Sequence, residues 1–220
     1  MGTALALLFV YQWRDTTAAD VSEPRSAPSV VYAADYSAAR IEPSVFEDLL
    51  RSDPIGAFEM ARDHHARTVR DYTCTFIKQE LLPGGMSKEQ EILVRFLQKP
   101  FSIVMHWIRN ADKAERVIYV AGKWIDRDAD QPEQRDLAVC QPGAIARIFI
   151  KSVKQPIRGR LAMQSSRRTI ADFGFLNALD MMIEFSRLAE QRGDLDLRYA
   201  GPSEYDGRPT WIIERSLPYT

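Results

Sequence analysis

Three histidines, two cysteines, a few close carboxylates and one run of cations are the groups in this chain with chemistry to offer. His64 and His65 are adjacent in a segment with helical spacing. Helical neighbours point about 100° apart, so they do not form the i, i+4 pair that grips a metal from one helix face. His65 falls on the apolar side and reads as a half-buried, hydrogen-bonded core histidine. Glu89 and Glu91 read as a solvated strand edge. A glycosidase would need two carboxylates converging across a cleft, and nothing in the spacing brings such a pair together. The chain has neither a Gly-x-Ser-x-Gly elbow nor a phosphate loop. No catalytic residue, metal ligand or cofactor is therefore assigned, and a hydrolase without a recognisable motif is the last of three readings.

Cys74 and Cys140 form no Cys-x-x-Cys pair, which argues against structural zinc. In an oxidising compartment a disulfide is allowed. In strand-like runs each also reads as a buried free thiol.

The cations are more informative. From Arg147 to Arg168 every charged residue is basic. Lys151, Lys154, Arg158, Arg160, Arg167 and Arg168 are candidate contacts to an anionic membrane surface or an acidic protein partner; a plain solvated loop is the bland alternative. Ile148, Phe149, Ile150 and Leu161 lie among them. That mixture suits an amphiphile-facing rim better than a base-stacking platform. The formal net charge of -1 also speaks against a general nucleic-acid binder.

The elements that position these groups follow from periodicity. Hydrophobic residues make up 45% of the chain and charged residues 27%, so an ordinary core can be buried. Residues 1–20 hold an apolar run, TALALLFVYQW from Thr3 to Trp13. It is shorter than the roughly 20 residues of a bilayer span and fits the apolar heart of a secretory signal, although no Lys or Arg precedes it. Val31-Tyr32-Ala33 and Ala18-Ala19 are candidate cleavage sites. The expected location is therefore exported, periplasmic or cell envelope. Residues 21–52 read as a disordered linker, rich in Ala, Ser, Pro, Asp and Glu as far as Pro43. The folded domain is expected over 53–220.

Asp53 and Pro54 begin a helix that runs to about Asp71, with Ile55, Phe58, Ala61, His65 and Val69 at helical spacing. Strands follow at Tyr72–Leu82, Glu91–Gln98, Phe101–Arg109 and Glu115–Ala121, with weaker candidates at Leu137–Cys140 and Ala144–Val153. Short turns between them require antiparallel pairing. A second helix is expected over Phe173–Gln191, capped by Asp172 and stopped by Gly193. Strands at Leu195–Ala200 and Thr210–Leu217, joined at Asp206-Gly207, end the chain, and further strands are expected beyond it.

The third strand is apolar on both faces: Phe101, Ile103, Met105 and Trp107 on one, Val104 and Ile108 on the other. A sheet with one wet face alternates more cleanly, so both faces are expected to be covered over part of the sheet. The second helix has two apolar stripes, Phe175, Leu176, Leu179, Met182 and Ile183 against Ala178, Met181, Phe185 and Leu188. Such width predicts two contacts: an ordinary filled core, or an apolar ligand held between sheet and helix.

The runs DYTCTFIKQE, EILVRFLQKPFSIVMHW, RVIYVAG and SSRRTIADFGF resemble the bacterial family called domain of unknown function 1571, over about Pro54 to Leu217. The strongest part is Lys99-Pro100-Phe101-Ser102 with Tyr119-Val120-Ala121-Gly122. Ala121 and Lys123-Trp124 depart from the pattern. The family is in turn similar to the LolA-like superfamily of lipoprotein carriers. That resemblance implies an α+β fold: a strongly curved antiparallel sheet, an incomplete barrel, with helices packed on the concave face. It implies no catalytic residues. The expected function is an exported carrier or sensor for a lipid, lipoprotein acyl chain or other amphiphile in an apolar cavity. Phe76, Phe96, Phe101, Met105, Trp107 and Tyr119 are the candidate contacts, with Met181 and Phe185 as a lid. An envelope interaction or scaffold module with a filled core is the alternative.

Overall fold

A computed structural model describes residues 41–143, 149–205 and 208–216. The signal-like segment 1–20, the linker to residue 40, Arg147, Ile148 and the Asp206-Gly207 turn lie outside the described residues.

The first described element is α1 (Pro43–Ser52). Residues 43–52, expected to belong to the linker, are therefore helical. The hairpin near the end of the chain holds this helix. Tyr199 donates to Glu47 across 2.8 Å, and Trp211 meets Phe46 edge-on at 5.2 Å. Helix α2 (Pro54–Thr68) starts as expected, with Pro54 in its first turn and the Asp53 carboxylate accepting from the Gly56 N–H at 2.9 Å. It stops at Thr68, because Val69 is already extended.

The strands are β1 (Asp71–Lys78), β2 (Leu81–Leu82), β3 (Gly85–Met86), β4 (Gln90–Leu97), β5 (Ser102–Arg109), β6 (Ala114–Val120), β7 (Leu137–Pro142), β8 (Val153–Pro156), β9 (Asp196–Tyr205) and β10 (Arg208–Ser216). Of the strand expected at Ala144–Val153, residues 144–148 lie outside the described residues; residues 149–152 are irregular, and β8 begins at Val153, where pairing with Cys140 of β7 starts. Six strands form one antiparallel sheet in the order β1-β4-β5-β6-β7-β8. Strands β9 and β10 form a separate hairpin, as do β2 and β3. The protein is a mixed α and β fold built on this antiparallel sheet.

Register places one unbroken row, Cys74–Val94–Met105–Val117–Cys140–Val153, across all six strands. Strand residues alternate sides. The neighbouring row, Thr73–Arg95–Val104–Ile118–Val139–Lys154, therefore lies on the opposite face. The main core belongs to the first face: Ile92, Val94, Ile103, Met105, Tyr119, Ala138 and Ile157.

The connection from β8 to the last helix passes through α3 (Arg160–Ser165) and a short turn to α4 (Phe175–Arg192). Asp172, expected to cap the long helix, instead closes the turn before it, accepting from the N–H and hydroxyl of Thr169 at 2.8 and 2.9 Å. Gly193, in the left-handed region at φ 72°, ends α4 as expected. A second cluster joins Ile55 and Phe58 of α2 to Ile183 and Met182 of α4, and to Leu197 and Ile213 of the hairpin. Tyr72 links the two cores: its ring stacks on Phe96 at 4.8 Å and meets Phe175 edge-on at 5.0 Å.

Gly174 sits at that junction with φ 118° and ψ 159°, a conformation open essentially to glycine. A Cβ there would come within 3.3 Å of the Phe96 ring. Gly174→Ala should cost about 1–3 kcal/mol, read as a lower urea midpoint with an unchanged slope. A midpoint equal to wild type would show that the junction relaxes freely.

Candidate functional site

The residues expected to line a cavity are brought together, and they touch one another. Phe96 lies 5.2 Å from Phe101, and Phe101 lies 5.9 Å from Tyr119. Met105 and Tyr119 are buried, and Phe76, Phe96, Phe101 and Trp107 pack around them. Polar tips are satisfied locally: the Trp107 indole donates to Gln90 at 3.1 Å, and the Tyr119 hydroxyl donates to Asp136 at 3.4 Å. Burial, reinforced by the Asp136 charge, pushes the Tyr119 hydroxyl above its usual range.

What covers this cluster is not the expected helix face. Ile157, Ile170, Ala171 and Phe173, all from the connection between β8 and α4, pack on it. Phe173 stands 5.3 Å from Phe76 and 6.2 Å from Phe96. Met181 and Phe185, expected as the lid, line an open surface depression of about 330 Å³ with Arg168, Asp172, Asp180 and Glu184. Phe185 and Leu188 are exposed. The second apolar stripe of α4 therefore has no contact with the sheet's core aromatics. The reason is local: the stripe of Ile183 and Met182 turns toward α2, and that orientation carries Phe185 outward.

The basic segment is the second assembly. Lys151, Lys154, Arg158, Arg160, Arg167 and Arg168 are all exposed, and no side-chain ion pair is formed by any of them among the described residues. By contrast, Arg62 is held by Asp63 at 2.7 Å, and Arg109 by Glu91 at 3.5 Å and by Glu89. Among the unpaired cations stand Phe149, 84% exposed, and Ile150, Val153, Leu161 and Met163, also exposed.

His65 lies 5.2 Å from Phe175, and burial depresses its basicity, with the neighbouring His64 adding to the effect. Among the described residues no three or more His, Cys, Asp or Glu stand together as a metal-holding group. No helix among them is long and apolar enough to cross a membrane.

Cys74 and Cys140 are free and half-buried. They share a face but sit on β1 and β7, four strand spacings apart in the sheet. At about 4.8 Å per spacing that is roughly 19 Å, whereas a disulfide needs Cα atoms within about 7 Å. Burial pushes the Cys74 thiol up to about 11 and raises Cys140 as well. At pH 8 the thiolate of Cys74 should be about 100-fold scarcer than that of an ordinary thiol. Both cysteines should therefore alkylate slowly in the folded protein and fast in urea. Rapid labelling without urea, or loss of both thiols under oxidation without unfolding, would contradict this geometry.

The expectation that both sheet faces are covered over part of the sheet is met for the first face only, among the described residues. The second sheet face carries Ile77, Leu93, Leu97 and Ile108, all exposed. It also holds a depression of about 200 Å³ lined by Arg95, Leu97, Ser102, Val104, Ile118 and Val120 among others. The signal was the two-sided apolar pattern of β5.

These features define a class: an antiparallel-sheet module with a helix-and-hairpin partner, a closed aromatic core and two exposed surfaces of apolar and basic character. The chain belongs to the family described as protein of unknown function DUF1571, whose pattern matches residues 69–219. The match begins at the end of α2 and takes in the whole six-stranded sheet, the basic segment, α4 and the hairpin. No curated protein and no solved structure matches it.

Proposed function

We propose that this protein is an exported envelope carrier or sensor for an amphiphile, a lipid or a lipoprotein acyl chain, and that it meets an anionic surface through residues 149–168. The observation that carries the reading is the set of six exposed, unpaired cations interleaved with five exposed apolar side chains. Apolar groups enter the interfacial region while the cations face headgroups. In this reading the sheet is a strongly curved, LolA-like incomplete barrel, and its core face receives the acyl chain when the 157–173 connection yields. The energetics permit this. Displacing Ile157, Ile170 and Phe173 costs about 5–9 kcal/mol. An acyl chain of about 16 carbons supplies on the order of 12 kcal/mol, at about 0.8 kcal/mol per methylene. The protein is read as a binding module, without catalytic, metal or cofactor roles and without nucleic acid as a partner.

Native mass spectrometry after mild purification should find a lipid-sized adduct. Co-sedimentation should occur with phosphatidylglycerol-containing vesicles and fail with pure phosphatidylcholine. Absence of any adduct, with no protection against heat by added fatty acid, would remove the carrier. The closed aromatic cluster favours a second reading in that case: an interaction module with a filled core, whose basic segment docks an acidic protein.

A further inference from the structure

The six-stranded sheet has two apolar faces, and among the described residues only the first is filled. Both packed clusters lie away from the second face, where Ile77, Leu93, Leu97 and Ile108 are exposed. A row of register partners crosses that face from Arg95 through Val104, Ile118 and Val139 to Lys154. Three branched apolar side chains thus lie between two cations. Arg116, opposite His106 in the adjacent row, adds a third cation. All three are exposed and form no ion pair among the described residues. The acids of this face are few and stand near strand ends: Asp71 at the start of β1, Glu91, held by Arg109 at 3.5 Å, and Glu115, 3.8 Å from His106.

We infer that this open face is the docking site for an acidic amphipathic helix of a partner protein. Dimension and charge select that occupant. Arg95 on β4 and Lys154 on β8 are four strand spacings apart, roughly 19 Å. A helix about 10–12 Å across fits between them, with acidic side chains on its flanks reaching the cations. Its apolar stripe covers Val104, Ile118 and Val139. A protruding Leu, Ile or Phe enters the depression of about 200 Å³ beside Leu97 and Val120. A lipid-sized ligand needs about 300 Å³ or more, so the depression suits single anchoring side chains. A recessed patch of β-branched residues is also poorly placed to enter a flat bilayer. A second copy of this chain is disfavoured by sign, because an isologous contact would set one cationic face against another.

The test uses the full chain and a fluorescein-labelled synthetic helix of ~18 residues, long enough to run beside an eight-residue strand. One version carries a Leu/Ile stripe flanked by Glu; the other carries Lys in place of Glu. Fluorescence anisotropy should show the Glu version binding about tenfold or more tighter. Arg95→Glu/Arg116→Glu should erase that preference. These residues are exposed, so the variant should keep the wild-type circular dichroism and still sediment with anionic vesicles if residues 149–168 serve the lipid. Val104→Asp should weaken the Glu version about tenfold or more. Equal binding of both peptides, or a preference that survives Arg95→Glu/Arg116→Glu, overturns the inference. So does a concentration-dependent dimer that Val104→Asp dissolves, which would make the occupant a second copy. Loss of vesicle binding in the Arg95→Glu/Arg116→Glu variant would assign the face to a bilayer and also overturns it.

Discussion

Truncating Ile103 to Ala is expected to lower the unfolding free energy by about 2–5 kcal/mol. Ile103 is 1% exposed and lies opposite Phe96 on one neighbouring strand and Tyr119 on the other. Both partners are aromatic and already in contact with other rings, so they cannot collapse into the space without breaking those contacts. The residual cavity makes the loss larger than the transfer energy of the deleted carbons alone. Against a typical total of about 5–15 kcal/mol, that loss is decisive. Ile77→Ala is the matched control. It deletes the same atoms on the opposite face, where Ile77 is 54% exposed, and should stay within about 0.5 kcal/mol of wild type. Urea unfolding followed by circular dichroism reads both. Equal losses at the two positions would mean that the second face is also filled, and would remove the docking surface with it.

Neutralising Lys154, Arg158 and Arg160 to Gln is expected to weaken binding to phosphatidylglycerol vesicles by about 100-fold. Each cation near an anionic surface contributes about 1 kcal/mol, and about 3 kcal/mol is two orders of magnitude in affinity. The three are exposed and unpaired, so their removal leaves no carboxylate stranded and folding should persist. Raising the salt to about 1 M shortens the screening length to about 3 Å and should reproduce the loss in the wild-type protein. Arg62→Gln, removing a cation already held by Asp63 and facing Asp180 at 3.6 Å, should change vesicle binding little. If the triple variant and the Arg62 variant behave alike, net charge rather than this segment governs attraction.

Much of the scaffold was legible because its signals are local. The β-branched and aromatic runs of β4, β5 and β6 marked strands, the short turns between them required antiparallel neighbours, and the sheet order follows chain order from β4 to β8. Asp53, Pro54 and Gly193 marked helix ends through capping chemistry that acts within a few residues. The run of cations without acids was visible directly. Helix α1 was not legible, because the groups that hold it, Tyr199 and Trp211, arrive about 150 residues later. Asp172 was assigned to the wrong helix end, because a Thr169 partner on the preceding turn satisfied it first.

The sequence by itself determined the kinds of the residues with chemistry to offer and their alternation along each strand. Within each strand it set Phe96 apart from Arg95, Ile103 and Met105 from Val104, and Tyr119 from Ile118, because a strand's side chains alternate with a period of two; the register that gathers them on common faces belongs to the tertiary structure. Alternation relates the two faces without saying which receives a cover. Only the tertiary structure decided that Ile157, Ile170 and Phe173 close over the aromatic face. It also decided that α4 turns its strongest stripe to α2 and leaves Phe185 exposed. Burial is a property of what arrives from elsewhere in the chain, and no single strand or helix encodes it.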